Sequence, residues 1–171
     1  PNYNSFVATF CDKICNDIKP DMKNDSDVNL IYVRDVVEQF KNCVNGDDYE
    51  FKTMKVKVSE VAEQLNYYKD VYFNEGKIPN LNNDFNRNLF NTFITYIKLT
   101  SLSFFTELHE DDRGSLTELL RCDSSEGQLF FSSTNPNYIR GQHFHMSKFE
   151  RFCVIKGKAK IQMRKMGDKN V

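Results

Sequence analysis

Much of what would give this chain an obvious role is missing. It has no glycine-rich phosphate loop. The seven glycines lie at 46, 76, 114, 127, 141, 157 and 167, and neither G-x-G-x-x-G nor G-x-x-G-x-x-G can be drawn through them. A dinucleotide held on a tight strand-to-helix turn is therefore not expected from these residues alone. No tyrosine is followed by a lysine four positions on. The formal net charge of −1 offers no electrostatic footprint for nucleic acid. No apolar run approaches membrane-spanning length. The five cysteines, at 11, 15, 43, 122 and 153, form no CxxC pair. An odd, scattered set without a secretory segment points to a reducing compartment, hence the cytoplasm. Cys11 and Cys15, one helical turn apart, read as small core residues rather than a metal pair. Internal repeats and low-complexity tracts are absent, and the chain opens at Pro1 without Met, directly into an apolar helix pattern. That opening reads as part of a longer protein.

What is present is concentrated between Arg140 and Gly157. His143 and His145 are separated by one residue, so in an extended strand both imidazoles project from one face. Met146, Ser147 and Lys148 form a polar break that can turn the chain. Glu150 then heads the apolar run Phe152-Cys153-Val154-Ile155. A carboxylate at the head of a buried strand needs a partner. Two imidazoles and a carboxylate on adjacent strands suit a divalent first-row metal. The reading without function is two strand histidines with ordinary hydrogen-bond partners.

Upstream, periodicity predicts four helices. Residues 4–18 place Phe6, Val7, Phe10, Ile14 and Ile18 on one stripe, with Asn4 or Ser5 as N-cap and Pro20 as terminator. Residues 28–33 read as a short buried strand. Asp35 opens a second helix with Val36, Val37, Phe40 and Val44 on its apolar face and Gly46 closing it. Residues 55–58 alternate as a half-exposed strand. Ser59 caps a third helix, 60–73, and Asp84 a fourth, 84–98, with Phe85, Leu89, Phe93 and Ile97 at intervals of four. The pattern changes after Thr100. Strands are expected at 115–121, 128–133, 142–146, 149–156 and 158–165, a short-strand series that points to a sandwich or barrel. Asn135-Pro136-Asn137 and Lys156-Gly157-Lys158 read as turns. The domain boundary is expected near residue 100.

Two resemblances follow. The spacing His143, His145, Glu150 and Gly157 resembles the first motif of the cupin family, which carries His-x-His, four residues, Glu, six residues and Gly. The family's glycine six residues before the first histidine is Asn137 here. The second cupin motif, which supplies a further histidine, is expected beyond Val171. The stretches Asn4–Cys11 and Asn29-Leu30-Ile31-Tyr32-Val33-Arg34-Asp35-Val36-Val37 resemble the C-terminal part of an extended short-chain dehydrogenase/reductase (SDR).

In that order, with Asp112-Arg113-Gly114-Ser115-Leu116-Thr117-Glu118 between them, the two pieces are similar to the CapF-like capsular polysaccharide assembling protein family. The resemblance implies an α+β two-part chain. Residues 1–99 would be the C-terminal portion of a Rossmann-like α/β reductase domain, and 100–171 the first strands of an RmlC-like cupin β-barrel.

It also implies a bifunctional enzyme acting on a UDP-linked 4-keto-6-deoxy-amino-sugar. The cupin would epimerise beside the ketone, and the reductase would reduce it with NADPH, bound only in the full-length protein. A divalent metal, most simply Zn²⁺, would be held by His143, His145 and Glu150. Asp112-Arg113-Gly114 and Arg140-Gly141-x-His143 also look like segments of dTDP-4-dehydrorhamnose 3,5-epimerase. There the corresponding histidine is a metal-free general base, so His143 is either ligand or base. Arg140, Lys148 or the metal would stabilise an enolate oxygen. Asn4, Ser5 and Arg34 are expected near the UDP-sugar and Arg140 at its diphosphate, and a homodimer is implied by family analogy. The competing readings are a non-catalytic metal- or sugar-binding cupin with a helical interaction region, and an α+β interaction domain.

Overall fold

The computed structural model describes residues 5–44 and 51–168. They fall into two compact units that divide between Tyr138 and Ile139. Among the described residues every helix and strand lies in the first unit. The observed class is mixed α and β with two small sheets.

Helix α1 (Phe6–Cys15) starts on Ser5, whose Oγ accepts from the Ala8 N–H at 3.3 Å. It ends three residues short of the expected Ile18. Asp17 takes a left-handed φ of 61°, and the Ile18 and Asp17 N–H groups return to the carbonyls of Lys13 and Ile14. That is a Schellman cap, and it turns Ile18 out of the apolar stripe into solvent. Strands β1 (Asp27–Leu30) and β2 (Met54–Lys57) pair antiparallel with Val28 opposite Val56. A doubly wound reductase sheet is parallel, and among the described residues no parallel ladder occurs. Helix α2 (Val33–Val44) separates two strands that run in opposite directions.

Helix α3 (Val58–Tyr68) follows β2 without a break. Ser59 does not cap it as expected. Instead the Asp25 carboxylate accepts from both the N–H and the Oγ of Ser59, at 2.9 and 3.0 Å, and Glu60 accepts from the Lys57 N–H at 2.9 Å. The helix widens into a π-turn, Lys69–Asn74. Helix α4 (Asp84–Ile94) is capped by Asn83 rather than Asp84, with Asn83 Oδ1 accepting from the Asn86 N–H at 2.8 Å.

These elements enclose one core. Phe10, Cys11 and Ile14 of α1 meet Val61, Leu65 and Tyr68 of α3 and Leu89, Phe90 and Phe93 of α4. Tyr68 stacks edge-on against Phe90 at 5.1 Å and donates its hydroxyl to the Asn86 carbonyl at 2.9 Å, so its polar end is satisfied where its ring is buried. Burial drives the Cys11 thiol up to about 12 and the Cys15 thiol up to about 11. Both therefore stay protonated and inert, as expected for core residues.

Helix α2 departs from expectation. Of the apolar face expected, Val37, Phe40 and Val44 are exposed, Phe40 to 65%, and Val36 is half-buried, while Gln39 is buried. Amphipathicity requires a partner for that face without naming one.

The second sheet has the order β3-β4-β5, with β3 (Leu108–Asp111), β4 (Gly114–Arg121) and β5 (Gln128–Thr134) all antiparallel. Gly114 fits only as glycine. Its φ is 131°, and a Cβ would stand 2.3 Å from the Ser133 carbonyl oxygen. The sheet is fastened to the helices by the loop after α3. The Ile78 N–H donates to the Arg121 carbonyl, and the Asp123 N–H to the Ile78 carbonyl, both at 2.9 Å. Tyr67 donates its hydroxyl to Asp123 Oδ2 and accepts from the Asn80 N–H, both at 2.7 Å. The expected boundary near residue 100 falls in the short turn Leu99–Ser101 between α4 and β3.

The second unit carries no strand ladder among its described residues, so the strands expected at 142–146, 149–156 and 158–165 are not formed. A strand is fixed by hydrogen bonds to a neighbour. Here Phe144, Phe149, Phe152 and Ile155 are exposed, without the second sheet layer that would seat them. The turn at Gly157 is present, with φ 88°. No helix of the structure is long and apolar enough to cross a membrane among the described residues.

Candidate functional site

The second unit brings His143, His145 and Glu150 together. One ligand atom from each lies within 4.8 Å of the others. His145 Nε2 stands 3.3 Å from Glu150 Oε1, and the two imidazole rings meet edge-to-face at 4.8 Å and 75°. Three donors bonded to one tetrahedral zinc at about 2.0–2.1 Å stand roughly 3.3–3.4 Å apart. The His145–Glu150 pair already has that spacing, and the His143 donor lies within 4.8 Å of both. Two neutral imidazoles and one carboxylate also match the donor preferences of zinc and of other first-row divalent ions. The residues present therefore fit a metal.

The three residues are not set by a strand ladder; the chain bends at Met146 and Ser147, between the histidines and Glu150, at the polar break expected there. Gly141 and Gln142 both have positive φ, 102° and 60°. Gly141 bears this freely, whereas Gln142 carries the cost usual for a side chain in that region. Lys148 approaches Glu150 Oε1 to 3.8 Å, which places a cation beside the carboxylate of the cluster. Arg140 belongs to the same unit, three residues before His143, and is partly buried.

The other expected site residues lie in the first unit. The Ser5 hydroxyl is engaged in capping α1. Asn4 lies outside the described residues. Arg34 is the second residue of α2, exposed, on the wall of a cleft that also includes Tyr32, Asp84, Arg87, Asn88 and Asn91. Sequence reasoning attended to the apolar face of α4 and missed these polar residues. The signal was there: Asp84, Arg87, Asn88 and Asn91 recur at i, i+3, i+4 and i+7, one continuous helix face. No G-x-G-x-x-G or G-x-x-G-x-x-G pattern for a dinucleotide runs through the sequence.

Residues 109–171 match the family described as Polysaccharide biosynthesis C-terminal domain. The chain is 35% identical, over 96% of its length, to a UDP-2-acetamido-2,6-beta-L-arabino-hexul-4-ose reductase of Pseudomonas aeruginosa, and covers 45% of that protein. It is also similar to the capsular polysaccharide assembling protein CapF of Staphylococcus aureus, at 30% identity and a TM-score of 0.65. That match covers 72% of this chain and 36% of the other. CapF with the inhibitor 3-isopropenyl-tropolone aligns at 29% identity and a TM-score of 0.70, over 80% of this chain and 41% of that one. The resemblance to CapF-like proteins drawn from the residues is thus found again by whole-chain comparison. The chain spans less than half the length of the curated relative it matches.

Proposed function

We propose that this chain serves the making of a nucleotide-sugar precursor of capsular polysaccharide. In this reading residues 1–99 are the C-terminal part of an extended SDR-type reductase and 100–171 the N-terminal part of a cupin. The substrate is a UDP-linked 4-keto-6-deoxy-amino-sugar, epimerised next to its ketone and then reduced. The convergence of His143, His145 and Glu150 carries the proposal, and the likeness to a UDP-sugar reductase supports its substrate class.

His143, His145 and Glu150 would hold a divalent ion, Zn²⁺ by donor set, with water or a further protein donor completing its shell. Such an ion supplies Lewis acidity to a carbonyl oxygen beside it. Arg140 presents a guanidinium that can pair two phosphate oxygens at once, so it orients the diphosphate close to the cluster. Lys148 offers a second cation for the oxygen that gains charge when a proton leaves the neighbouring carbon. If the site works without metal, His143 is the base that takes that proton. The reductive half requires NADPH, whose cradle these residues do not contain.

The test is metal analysis of untagged protein, parent against His143→Ala and Glu150→Ala, beside turnover of the keto-sugar by an intact enzyme carrying the same changes. Stoichiometric metal in the parent and its loss in both variants are expected. An intact enzyme that is active without metal removes the metal reading and leaves His143 as base. A second reading, a sugar-binding cupin without catalysis, draws on the exposure of all three cluster residues. It predicts metal binding with no turnover.

A further inference from the structure

The cleft between the start of α2 and the polar face of α4 has a volume of about 400 Å³. That lies within the usual range for small-molecule sites, about 300–1,000 Å³. A smaller cleft beside Lys77 and Arg121, about 220 Å³, falls below it. Asp84, Arg87, Asn88 and Asn91 form one wall on a single face of α4, and Tyr32 and Arg34 stand on the other.

The lining points to one kind of ligand. Arg34 and Arg87 are matched by Asp35 and Asp84, so the formal charges cancel. A diphosphate would need an excess of positive charge. The donors and acceptors are instead mixed and dense. Arg87 is held by the Leu81 carbonyl at 3.0 Å and by the Asp84 carboxylate. Two of its five N–H groups are spent there and three remain to donate. The side-chain amides of Asn88 and Asn91 and the guanidinium of Arg34 make no hydrogen bond with any described residue. Asn88 is nevertheless half-buried. An amide offers an acceptor and two donors, which match a hydroxyl that both gives and takes. Tyr32 adds an aromatic ring with a polar tip, the pairing that suits a ligand with an apolar C–H face and a hydroxylated rim.

We infer that this cleft binds a sugar ring, and that Asn88 and Asn91 are its principal hydroxyl contacts. The idea takes its substrate class from the nucleotide-sugar reading above, but it concerns a separate place in the first unit and does not depend on the metal cluster.

The experiment is an amide NMR titration of the chain with UDP-N-acetylglucosamine, N-acetylglucosamine and UDP. The side-chain NH₂ signals of Asn88 and Asn91 serve as direct reporters. Both sugar-bearing ligands are expected to shift them, and UDP alone is not. Asn88→Ala and Asn91→Ala should each weaken binding about tenfold, the loss of one net hydrogen bond, with the dispersion of core signals unchanged. UDP acting as strongly as UDP-N-acetylglucosamine would make this a phosphate site and overturn the proposal. Silent Asn88 and Asn91 signals with every sugar would also overturn it. Metal retained at His143, His145 and Glu150 in that case would leave the proposed function standing while this inference falls.

Discussion

The two units put their aromatic residues to opposite use. In the first, Tyr68, Phe90 and Phe93 are buried and stack edge-on or tilted against one another. In the second, Phe144, Phe149 and Phe152 are exposed, Phe149 completely. The first unit therefore draws its stability from its own core. The second carries the groups with metal-binding chemistry on a backbone shaped by turns rather than by a ladder. Packing and chemistry have been divided between them, and each can be perturbed without the other.

The largest effect expected from that division is on the core. Phe93→Ala should destabilise the first unit by about 3–5 kcal/mol, because it removes a fully buried ring and leaves a cavity. Phe149→Ala, at the exposed position, should stay within about 0.5 kcal/mol. Chemical denaturation of both variants checks this, and equal losses would break the comparison. Next is Glu150→Ala, which should lower zinc affinity roughly a hundredfold or more, since even an outer-shell partner is worth 10–100-fold. The unfolding midpoint of the first unit should not move. A lowered midpoint would mean that the cluster also supports the helical core. Smaller again is Tyr67→Phe. It leaves Asp123 and the Asn80 N–H without their shared partner and should cost about 1–2 kcal/mol. Hydrogen exchange should rise first at Ile78 and Asp123, where the loop joins β4. Uniform loss of protection would show instead that Tyr67 belongs to the general core.

The residues that proved legible were those whose signal is local. Spacing of apolar residues placed α1, α3 and α4, and the short-strand series expected after Thr100 placed β4 and β5. The His-x-His-Glu spacing picked out three side chains that the folded chain does bring together. What was not legible depends on partners distant in sequence. The stripe of α2 is a correct statement of amphipathicity, but whether it is covered depends on another surface. The strands expected after residue 140 require neighbours to hydrogen-bond them. Helix ends were missed for a related reason. Asp17 closes α1 by adopting a left-handed conformation, and Asp25 caps α3 from more than thirty residues away, which no window centred on Ser59 can see.

That distant cap gives the smallest prediction and the sharpest contrast with Glu150. Both are carboxylates with polar neighbours close by, but Asp25 accepts two hydrogen bonds and serves the fold. Its pKa is lowered, first by the hydrogen bond from the Ser59 N–H, then by the Ser59 hydroxyl, with Lys57 adding a weaker pull. A carboxyl held below its unfolded value stabilises the folded state when ionised. Its contribution is therefore complete above the unfolded value, about 3.9 for an aspartate. It declines as pH falls from there through the folded value, and is gone below both. Asp25→Asn keeps an oxygen for the Ser59 N–H but loses the charge. The variant should unfold at a slightly lower temperature than the parent at neutral pH, and the gap should close as pH drops below 3.9. Thermal scans of both proteins across that range measure it directly. A gap that stays constant down to acid pH would show that the cap acts through shape alone, with no part played by the ionised carboxylate.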